Sequence, residues 1–427
     1  MKIALVGNSH LSKVYTAALF KIGNKISIFD SKEIFGQSNN KQNLNFNEPY
    51  IFDEIEKGIK EKKITRVNGF MNIEKYKIVW LCQDVYVDAG GNAKIKDIFQ
   101  IALSLVNKMK ANQILVISSQ IPAGSVAKIE KILSKRFPNK NVKIVYQPEN
   151  LQVGDSLNSI LNAKYFVIGA EEKKIQNIFK TMFKQTKIQL LFTSNVNAEL
   201  FKHILNSHLA LNVAFANEIG EIAEVLNANS YEIAKLLRND DRIGKKAYLF
   251  PGPSFAGKTL ARDLTYINRI RKKHGFNLPI ITSITASNSM QYIKLLKNVK
   301  SYLKRRHSVG FAGISYKEFS SITAGSHFEK LLKDLSLKEL GLKKLYFYDP
   351  YVIEIEHKKV FRVNSYRELL DKCQVIYVTR PNSAFYSVLS SYISMNRKVI
   401  HNVSGIEINF KKINNIEIKN FGSSKHE

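Results

Sequence analysis

The stretch KIALVGNSHLSKVYTAALFKIGNKISIFD, residues 2–30, decides the fold class of this chain of 427 residues. Its opening KIALVG is typical of a β-strand, residues 11–22 have the apolar spacing of a helix, and KISIFD predicts a second strand. A strand, a turn, a helix and a strand in this order begin a βαβ unit. We therefore predict that the chain opens with an α/β domain.

The same alternation continues to about residue 190. Helical stretches such as 97–109 and 125–133 separate further strand candidates, which cover residues 78–82, 114–118, 142–146 and 165–168. Strands that alternate with helices indicate a doubly wound parallel sheet. We predict a Rossmann-like domain over residues 1–190.

The middle of the chain changes to helical patterns. Residues 198–226 contain helix-period apolar positions, no proline and a single interior glycine, Gly220, which together predict one long helix. Further helical patterns follow at 230–237, 259–271 and 280–295. We predict a central helical domain over residues 191–300 and expect it to mediate dimerisation.

A second, smaller α/β pattern occupies the C-terminal part. It begins just after His307 with SVGFAGIS, continues through a helix near 326–335, and reaches the strand LYFYDP at 345–350. The strands QVIYVT and KVIHNV complete it. We predict a second Rossmann-like domain over residues 301–427. We expect the two α/β ends to be at most a loose structural echo of each other.

Lysine and arginine number 65 against 36 acidic residues, which gives a net charge of +29. This charge is compatible with nucleic acid, an anionic membrane surface or an anionic small substrate. Because the basic residues are scattered in short runs, we expect a solvated surface that attracts a phosphorylated ligand, with neither nucleic acid nor membrane as a partner. Nucleic-acid binding stays open as an alternative, and it predicts a strongly salt-dependent affinity.

The cysteines and the apolar runs indicate the compartment. No stretch reaches the roughly 18 uncharged apolar residues that span a bilayer, and the first strand runs directly into Gly7, which argues against a signal peptide. Cys82 and Cys373 lie far apart, without a CxxC pair or a His/Cys cluster, so no metal site is predicted. We expect a protein of the reducing cytoplasm.

The first turn, GNSHLS at residues 7–12, keeps part of the dinucleotide pattern G-x-G-x-x-G. Gly7 is the first glycine, and Ser9 and Ser12 replace the other two with small polar residues, so phosphate binding at the helix N-terminus is weakened but not lost. Asp30 ends the second strand about 20 residues further on, where a carboxylate binds the ribose of NAD. An ordinary βαβ unit with a capping aspartate is the alternative.

Several separated segments resemble the UDP-glucose/GDP-mannose dehydrogenase family in the expected order. In the first half, Glu48-Pro49, SSQIPAGS at 118–125, PENLQVG at 148–154 and residues 199–206 are similar to its acidic-proline segment, S-T-V-P-x-G-T, P-E-F-L-x-E-G and E-L-x-K-x-x-x-N. In the second half, DRIG at 241–244, GPSFAGKTLARD at 252–263, GISYK at 313–317 and YDP at 348–350 match further motifs. The resemblance extends from Lys2 to about Ile406. It implies two Rossmann-like domains joined by a central helical dimerisation domain, and a homodimer.

The resemblance also implies a role for each matching residue in oxidising a sugar CH2OH with NAD. Lys202 would stabilise the alkoxide, Asp263 would bind or activate water, Asn206 would orient both, and Glu149 would activate water or contact the cofactor. The DRIG segment would reach the substrate of a neighbouring subunit. The implied cofactor-binding residues are Gly7, Ser9, Leu11, Ser12, Asp30, Ser119 and Gln120, and the implied substrate-binding residues are Leu151, Arg242, Phe255, Gly257, Tyr316 and Lys317.

Three departures from the family affect the expected chemistry. Thr259 stands where the family has its nucleophilic cysteine, and a threonine hydroxyl is scarcely ionised. The family's T-D-D-x-R-E-S turn has become SSITAGS at 320–326, and its D-G-R segment has become NVS at 402–404. We expect an enzyme of surface polysaccharide synthesis that oxidises a UDP-glucose-like sugar at C6 and stops at the aldehyde. The alternative is a non-catalytic relative that keeps the dimeric scaffold or serves as a nucleotide-binding protein.

Overall fold

The computed structural model describes residues 1–30, 48, 50–85, 95–151, 154–256, 258–305, 307–315, 323, 325–335, 344–409 and 415–423. The chain forms two compact units, residues 1–205 and residues 206–427. Each unit contains a parallel sheet of six strands. The division into three domains, with a separate helical domain in the middle, stays a prediction.

The sheet of the first unit has the strand order β3-β2-β1-β4-β5-β6, with all neighbours parallel. Its central strand is covered on both faces, because Ile3 and Leu5 lie in one core cluster and Ala4 and Val6 in the other. This double burial is why KIALV is almost continuously apolar. The strands are β1 Lys2–Val6, β2 Lys25–Asp30, β3 Ile64–Asn68, β4 Ile78–Leu81, β5 Ile114–Ile117 and β6 Lys143–Tyr146.

Helices on both faces complete the first unit and confirm the Rossmann-like prediction. The predicted strands agree with the observed ones to within one residue. Two more strands, β7 Tyr165–Gly169 and β8 Gln189–Thr193, form a separate parallel pair. The helices are α1 His10–Lys21, α2 Ile51–Lys60, α3 Lys96–Lys108, α4 Ser125–Arg136, α5 Ser156–Leu161 and α6 Lys173–Met182.

The predicted long helix is confirmed as α7, Asn195–Val225, which contains the boundary between the two units. It is followed by α8 Ser230–Arg238, α9 Lys258–His274 and α10 Pro279–Lys304. The sequence prediction ended the last of these at residue 295 and was wrong there. The helix continues because Val299 and Leu303 are buried in the core of the second sheet.

The sheet of the second unit has the strand order β11-β10-β9-β12-β13-β14 and is also parallel throughout. When the strands are numbered within each unit, the second sheet has the same strand order as the first. The sequence prediction of only a loose structural echo between the two α/β ends was therefore wrong. The carboxyl ends of β9 and β12 lie side by side where the order reverses, which is where open α/β sheets bind ligands. The elements are β9 Val309–Ala312, α11 His327–Asp334, β10 Leu345–Tyr348, β11 Val360–Arg362, α12 Tyr366–Lys372, β12 Val375–Val378, α13 Ser383–Ser390, β13 Lys398–Asn402 and β14 Ile416–Asn420.

Within the part of the chain that the structure describes, no helix is both long enough and apolar enough to cross a membrane. No group of three or more His, Cys, Asp or Glu side chains among the described residues could hold a metal ion.

Candidate active site

The turn after β1 brings the backbone of the chain close to the end of β4. Gly7 has a φ of +143°, and a Cβ at this position would overlap the carbonyl oxygen of Cys82. Only glycine fits such an approach at a positive φ without strain. The backbone of the turn therefore has the close approach and the helix N-terminus that a dinucleotide pyrophosphate requires.

The two serines of this turn use their hydroxyl groups inside the chain. Ser9 Oγ donates to the carbonyl of Cys82 at 3.4 Å and accepts the Asp84 N–H at 2.9 Å. Ser12 Oγ donates to the carbonyl of Ser9 at 2.7 Å. Both serines are almost completely buried. A phosphate at this turn would therefore meet backbone N–H groups rather than these hydroxyls.

The N–H groups of the turn already have acceptors, which come from the segment after β4. The Asn8 N–H donates to Gln83 Oε1 at 3.2 Å, and the Leu11 N–H donates to Asp84 Oδ2 at 3.4 Å. The Gln83 N–H in turn donates to Ser119 Oγ at 3.1 Å. Ser119, predicted to contact the cofactor, thus supports the segment that bonds to the turn.

Asp30 lies where a ribose-binding carboxylate is expected. It is the last residue of β2, which pairs with β1 in parallel, so its backbone is at the same sheet edge as the turn after Gly7. Its side chain is not among the described features. The backbone position agrees with the predicted role, and the role itself stays a prediction.

Glu48 connects the starts of two helices in the first unit. Its carboxylate accepts the N–H groups of Gly154 at 2.8 Å and Ser156 at 2.7 Å, and it also accepts the Ser156 hydroxyl at 2.7 Å. His10 Nε2 lies 3.0 Å from the same carboxylate. Burial by itself raises the pKa of Glu48, but the hydrogen bonds from His10, Gly154 and Ser156 outweigh it and lower the pKa to about 2.

A buried cluster in the first unit joins four of the predicted site residues. Lys202 Nζ lies 3.5 Å from Glu149 Oε1 and donates to Asn150 Oδ1 at 3.3 Å. Glu149 also accepts a hydrogen bond from Gln120 Nε2 and one from the Leu151 N–H at 2.9 Å. Because Lys202 is only 5% and Glu149 only 7% exposed, this is an ammonium–carboxylate pair largely removed from water.

Glu199 fixes the turn that carries Gln120. Its carboxylate accepts the N–H groups of Gly124 at 2.6 Å and Val126 at 2.8 Å, so it caps the N-terminus of α4 from α7. Burial raises the pKa of Glu199, and these hydrogen bonds offset part of that effect. Glu199, the glutamate of the E-L-x-K pattern, therefore has an indirect role. It holds in place the turn that carries Gln120, and Gln120 contacts Glu149.

The second unit contains its own buried polar cluster. Asn206 Nδ2 donates to Asp263 Oδ2, and Arg262 Nε donates to Asp263 Oδ1 at 3.3 Å. All three residues are at most 5% exposed. Arg262 Nη2 is buried and has no hydrogen-bond partner within the described part of the chain. Asn206 and Asp263, which the sequence placed together, do meet, and Arg262 joins them.

Comparisons with known proteins give the family. Residues 1–187 match the NAD-binding domain of the UDP-glucose/GDP-mannose dehydrogenase family, and residues 196–290 match its central domain. The chain belongs to this family. Its first unit therefore carries the family's NAD-binding domain, and the protein is a divergent nucleotide-sugar dehydrogenase relative.

Relatives of known name agree with this assignment. A UDP-glucose 6-dehydrogenase of Rickettsia conorii is 22% identical over 430 residues, which cover 96% of this chain and 98% of that protein. A UDP-glucose dehydrogenase of Pyrobaculum islandicum has a similar structure, with a TM-score of 0.82 at 18% identity over 99% of this chain and 98% of that one. A UDP-D-ManNAc dehydrogenase of Pyrococcus horikoshii has a TM-score of 0.79 at 16% identity over 99% and 100% of the two chains.

Thr259, at the family's cysteine position, lies in the first turn of α9 and is half-buried. Its hydroxyl has no hydrogen-bond partner among the residues that the structure describes. A hydroxyl needs an adjacent base to become a nucleophile. The described surroundings of Thr259 provide no such activation.

The predicted substrate-binding residues are only partly described. Arg242 is exposed and pairs with Asp240 at 2.6 Å, so in a single chain its guanidinium faces solvent. The Phe255 N–H donates to Asn288 Oδ1 at 2.6 Å, and the Phe255 ring packs against the core cluster between α7, α9 and α10. Leu151 packs against the core of the first unit. Gly257, Tyr316 and Lys317 lie outside the described residues.

Sequence reasoning missed a pocket at the strand ends of the second unit. It is lined in part by Ser315 after β9, by Arg380 after β12 and by His327 at the start of α11. His327 Nε2 lies 2.9 Å from Ser254 Oγ. Desolvation and the charge of Arg380 lower the pKa of His327 to about 4, so its ring is neutral at pH 7. The strand-end rule could have indicated the position, but not these side chains.

The NVS segment is part of the fold rather than of this pocket. Asn402 is completely buried, and its amide donates to the carbonyl of Ile406 and to Asn420 Oδ1, both at 2.6 Å. Ser404 donates to Asn402 Oδ1 at 2.7 Å. The segment that replaces the family's D-G-R therefore holds its own turn and provides no cation.

Proposed function

We propose that this protein uses NAD to oxidise the C6 alcohol of a UDP-sugar such as UDP-glucose, and that the reaction stops at the aldehyde. It acts as a cytoplasmic homodimer in surface polysaccharide synthesis. The buried pair of Lys202 and Glu149 carries the proposal. Holding an ammonium group out of water costs stability, and a buried charged pair among residues that match a catalytic motif is a candidate for a functional site.

The alcohol loses one hydride and one proton as its C–O bond becomes C=O. Bound NAD would accept the hydride. The developing alkoxide needs a fixed positive charge, which Lys202 would supply while Glu149 and Asn150 hold its ammonium in place. The hydroxyl proton would leave to water. Within the second unit, Asn206 and Arg262 hold the carboxylate of Asp263, for which the family resemblance implies a role in binding or activating water.

The second oxidation of the family's reaction requires a covalent intermediate on the residue at position 259. A thiolate attacks an aldehyde readily, whereas an unactivated threonine hydroxyl with a β-branched side chain does not. The aldehyde would therefore leave as such or as its hydrate. The product of this enzyme is expected to be one oxidation level below that of a cysteine-containing relative.

The pocket of the second unit is proposed to bind the diphosphate of the nucleotide sugar. It combines the guanidinium of Arg380 with the N-terminus of α11, where Ser326 Oγ already accepts the Glu329 N–H at 3.2 Å and the N–H groups before Glu329 have no acceptor within the helix. A guanidinium suits the planar, bidentate recognition of phosphate oxygens. Arg380 would thus provide the positive charge for the diphosphate in a chain that has NVS at 402–404 in place of the family's D-G-R segment.

The proposed reaction is tested by incubating the protein with NAD and a panel of UDP- and GDP-sugars. We expect one NADH per sugar and an aldehyde that a hydrazine reagent traps. Lys202→Ala should lower kcat by about two orders of magnitude or more, while Lys128→Ala, which changes an exposed lysine, should leave it unchanged. Turnover that is insensitive to Lys202→Ala would contradict the assignment.

A non-catalytic scaffold is the second candidate. The observation in its favour is the cofactor turn, where Asp84 and Gln83 accept the N–H groups that a pyrophosphate would use. This candidate predicts that the protein produces no NADH with any UDP- or GDP-sugar of the panel. NADH production that Lys202→Ala abolishes would reject it, whereas NAD binding alone would not, because a non-catalytic relative can still bind a nucleotide.

A further inference from the structure

The carboxylate of Asp84 lies at the N-terminus of α1. Ser9 is the N-cap residue of this helix, but its side chain makes no capping hydrogen bond because it is bonded to Cys82 and Asp84. The Leu11 N–H in the first turn donates to Asp84 Oδ2 instead. A side chain from the end of β4 therefore caps a helix that begins after β1.

The segment of Gln83 and Asp84 is bonded to the turn at several points. The Asn8 N–H donates to Gln83 Oε1 at 3.2 Å, and the Asp84 N–H donates to Ser9 Oγ at 2.9 Å. The Gln83 N–H donates to Ser119 Oγ at 3.1 Å, which connects the segment to the end of β5. These bonds hold the carboxylate at the turn, where burial raises the pKa of Asp84 and the nearby His10 and the Leu11 hydrogen bond offset only part of that effect.

We propose that Asp84 is an internal competitor of the dinucleotide pyrophosphate and sets the affinity of this protein for NAD. The inference rests on the proposed function, because it concerns the same cofactor. A pyrophosphate carries about two negative charges and would bind the N–H groups that now serve Gln83 and Asp84. A carboxylate a few ångströms away opposes it, so binding requires that Asp84 leave the turn.

Removing the charge of Asp84 should therefore strengthen cofactor binding. Asp84→Asn keeps the size and an acceptor oxygen but loses the charge, and Asp84→Ala removes the acceptor as well. Asp97→Asn is the matched control, because Asp97 is an exposed aspartate in the first turn of α3. All four proteins are titrated with NAD by calorimetry at low and high salt.

We expect both Asp84 variants to bind NAD about tenfold more tightly than the unmodified protein at low salt, with a smaller gain at high salt. Asp97→Asn should bind like the unmodified protein. Without ligand, Asp84→Asn should melt no lower than the unmodified protein, because burial raises the pKa of Asp84 and its negative charge therefore costs the fold stability. Tighter binding without a loss of stability is the signature of an internal competitor.

The outcomes separate this inference from the proposed function. NAD binding that is equal in the unmodified protein and both Asp84 variants overturns the role of Asp84 and leaves the dehydrogenase assignment standing. Weaker binding by both variants also overturns it, since Asp84 would then assist the cofactor. If none of the four proteins binds NAD, the dehydrogenase assignment fails, and the role of Asp84 fails with it.

Discussion

At the scale of single residues, Thr259 decides how far the proposed reaction proceeds. Thr259→Cys restores a thiol at the start of α9, where a helix N-terminus favours the thiolate. We expect NADH production to rise from one to two per UDP-glucose and the product to change from aldehyde to acid, measured by absorbance and mass spectrometry. Thr259→Ser, whose hydroxyl is equally un-ionised, should still give the aldehyde. One NADH from the cysteine variant would contradict this account.

Arg380 is the residue on which the proposed diphosphate site depends. Arg380→Ala should raise the KM for the nucleotide sugar about tenfold with little change in kcat, because the diphosphate is remote from C6. The same variant removes a positive charge that lowers the pKa of His327, so that pKa should rise above about 4, as measured by NMR titration. Arg397→Ala changes an exposed arginine in the same unit. It should change neither the KM for the nucleotide sugar nor the pKa of His327.

At the scale of elements, Glu48 links the start of α1 to the start of α5. Its pKa of about 2 is below the ordinary value of 4.5, so its ionised form is bound more strongly in the folded protein. The resulting stabilisation, about 3 kcal/mol, is present above pH 4.5 and is lost as the pH falls toward 2.

Glu48→Gln should therefore lower the free energy of unfolding at pH 7 by about 2–3 kcal/mol and flatten its decline between pH 4.5 and pH 2. Denaturant unfolding at several pH values measures both effects. Glu56→Gln, which changes an exposed glutamate of α2, should leave the pH dependence as it is. An unchanged acid slope in Glu48→Gln would show that Glu48 does not carry this stabilisation.

At the scale of the whole molecule, α7 carries an apolar stripe that we propose is covered by a second copy of the chain. Phe215, Ile222, Val225 and Leu226 are between 46% and 81% exposed at spacings that share one helix face, near its C-terminal end. Arg242 in the same unit is also exposed, and the family resemblance implies that this segment serves a neighbouring subunit's substrate.

Phe215→Asp with Ile222→Asp should convert the dimer into a folded monomer, because both side chains lie on the surface of a single chain. Light scattering gives the mass and circular dichroism checks the fold. Ile132→Asp, which changes a partly exposed isoleucine of α4 in the other unit, should remain dimeric. A dimer that survives the double substitution would move the interface elsewhere.

The sequence by itself determined the fold class, the family and the order of the elements that it identified. These depend on local periodicity, on Gly7 in a turn that no other residue fits, and on motifs whose residues stand close together in the chain. The family's pattern also predicted correctly that Asn206 and Asp263 lie together. The sequence ended α10 nine residues early, because the last part of this helix is apolar only on the side that packs against the second sheet. The sequence prediction was also wrong in ending the second α/β pattern at KVIHNV, and it missed the strands β3, β8, β11 and β14.

Only the tertiary structure decided which side chains meet across long stretches of chain. Asp84 reaches Leu11 over 73 positions, Lys202 reaches Asn150 over 52, and His327 reaches Ser254 over 73. Such contacts depend on the packing of whole strands and helices, and no local pattern encodes them. For this reason the sequence predicted a weakened cofactor turn, whereas the structure revealed that an aspartate from the neighbouring strand end already occupies it.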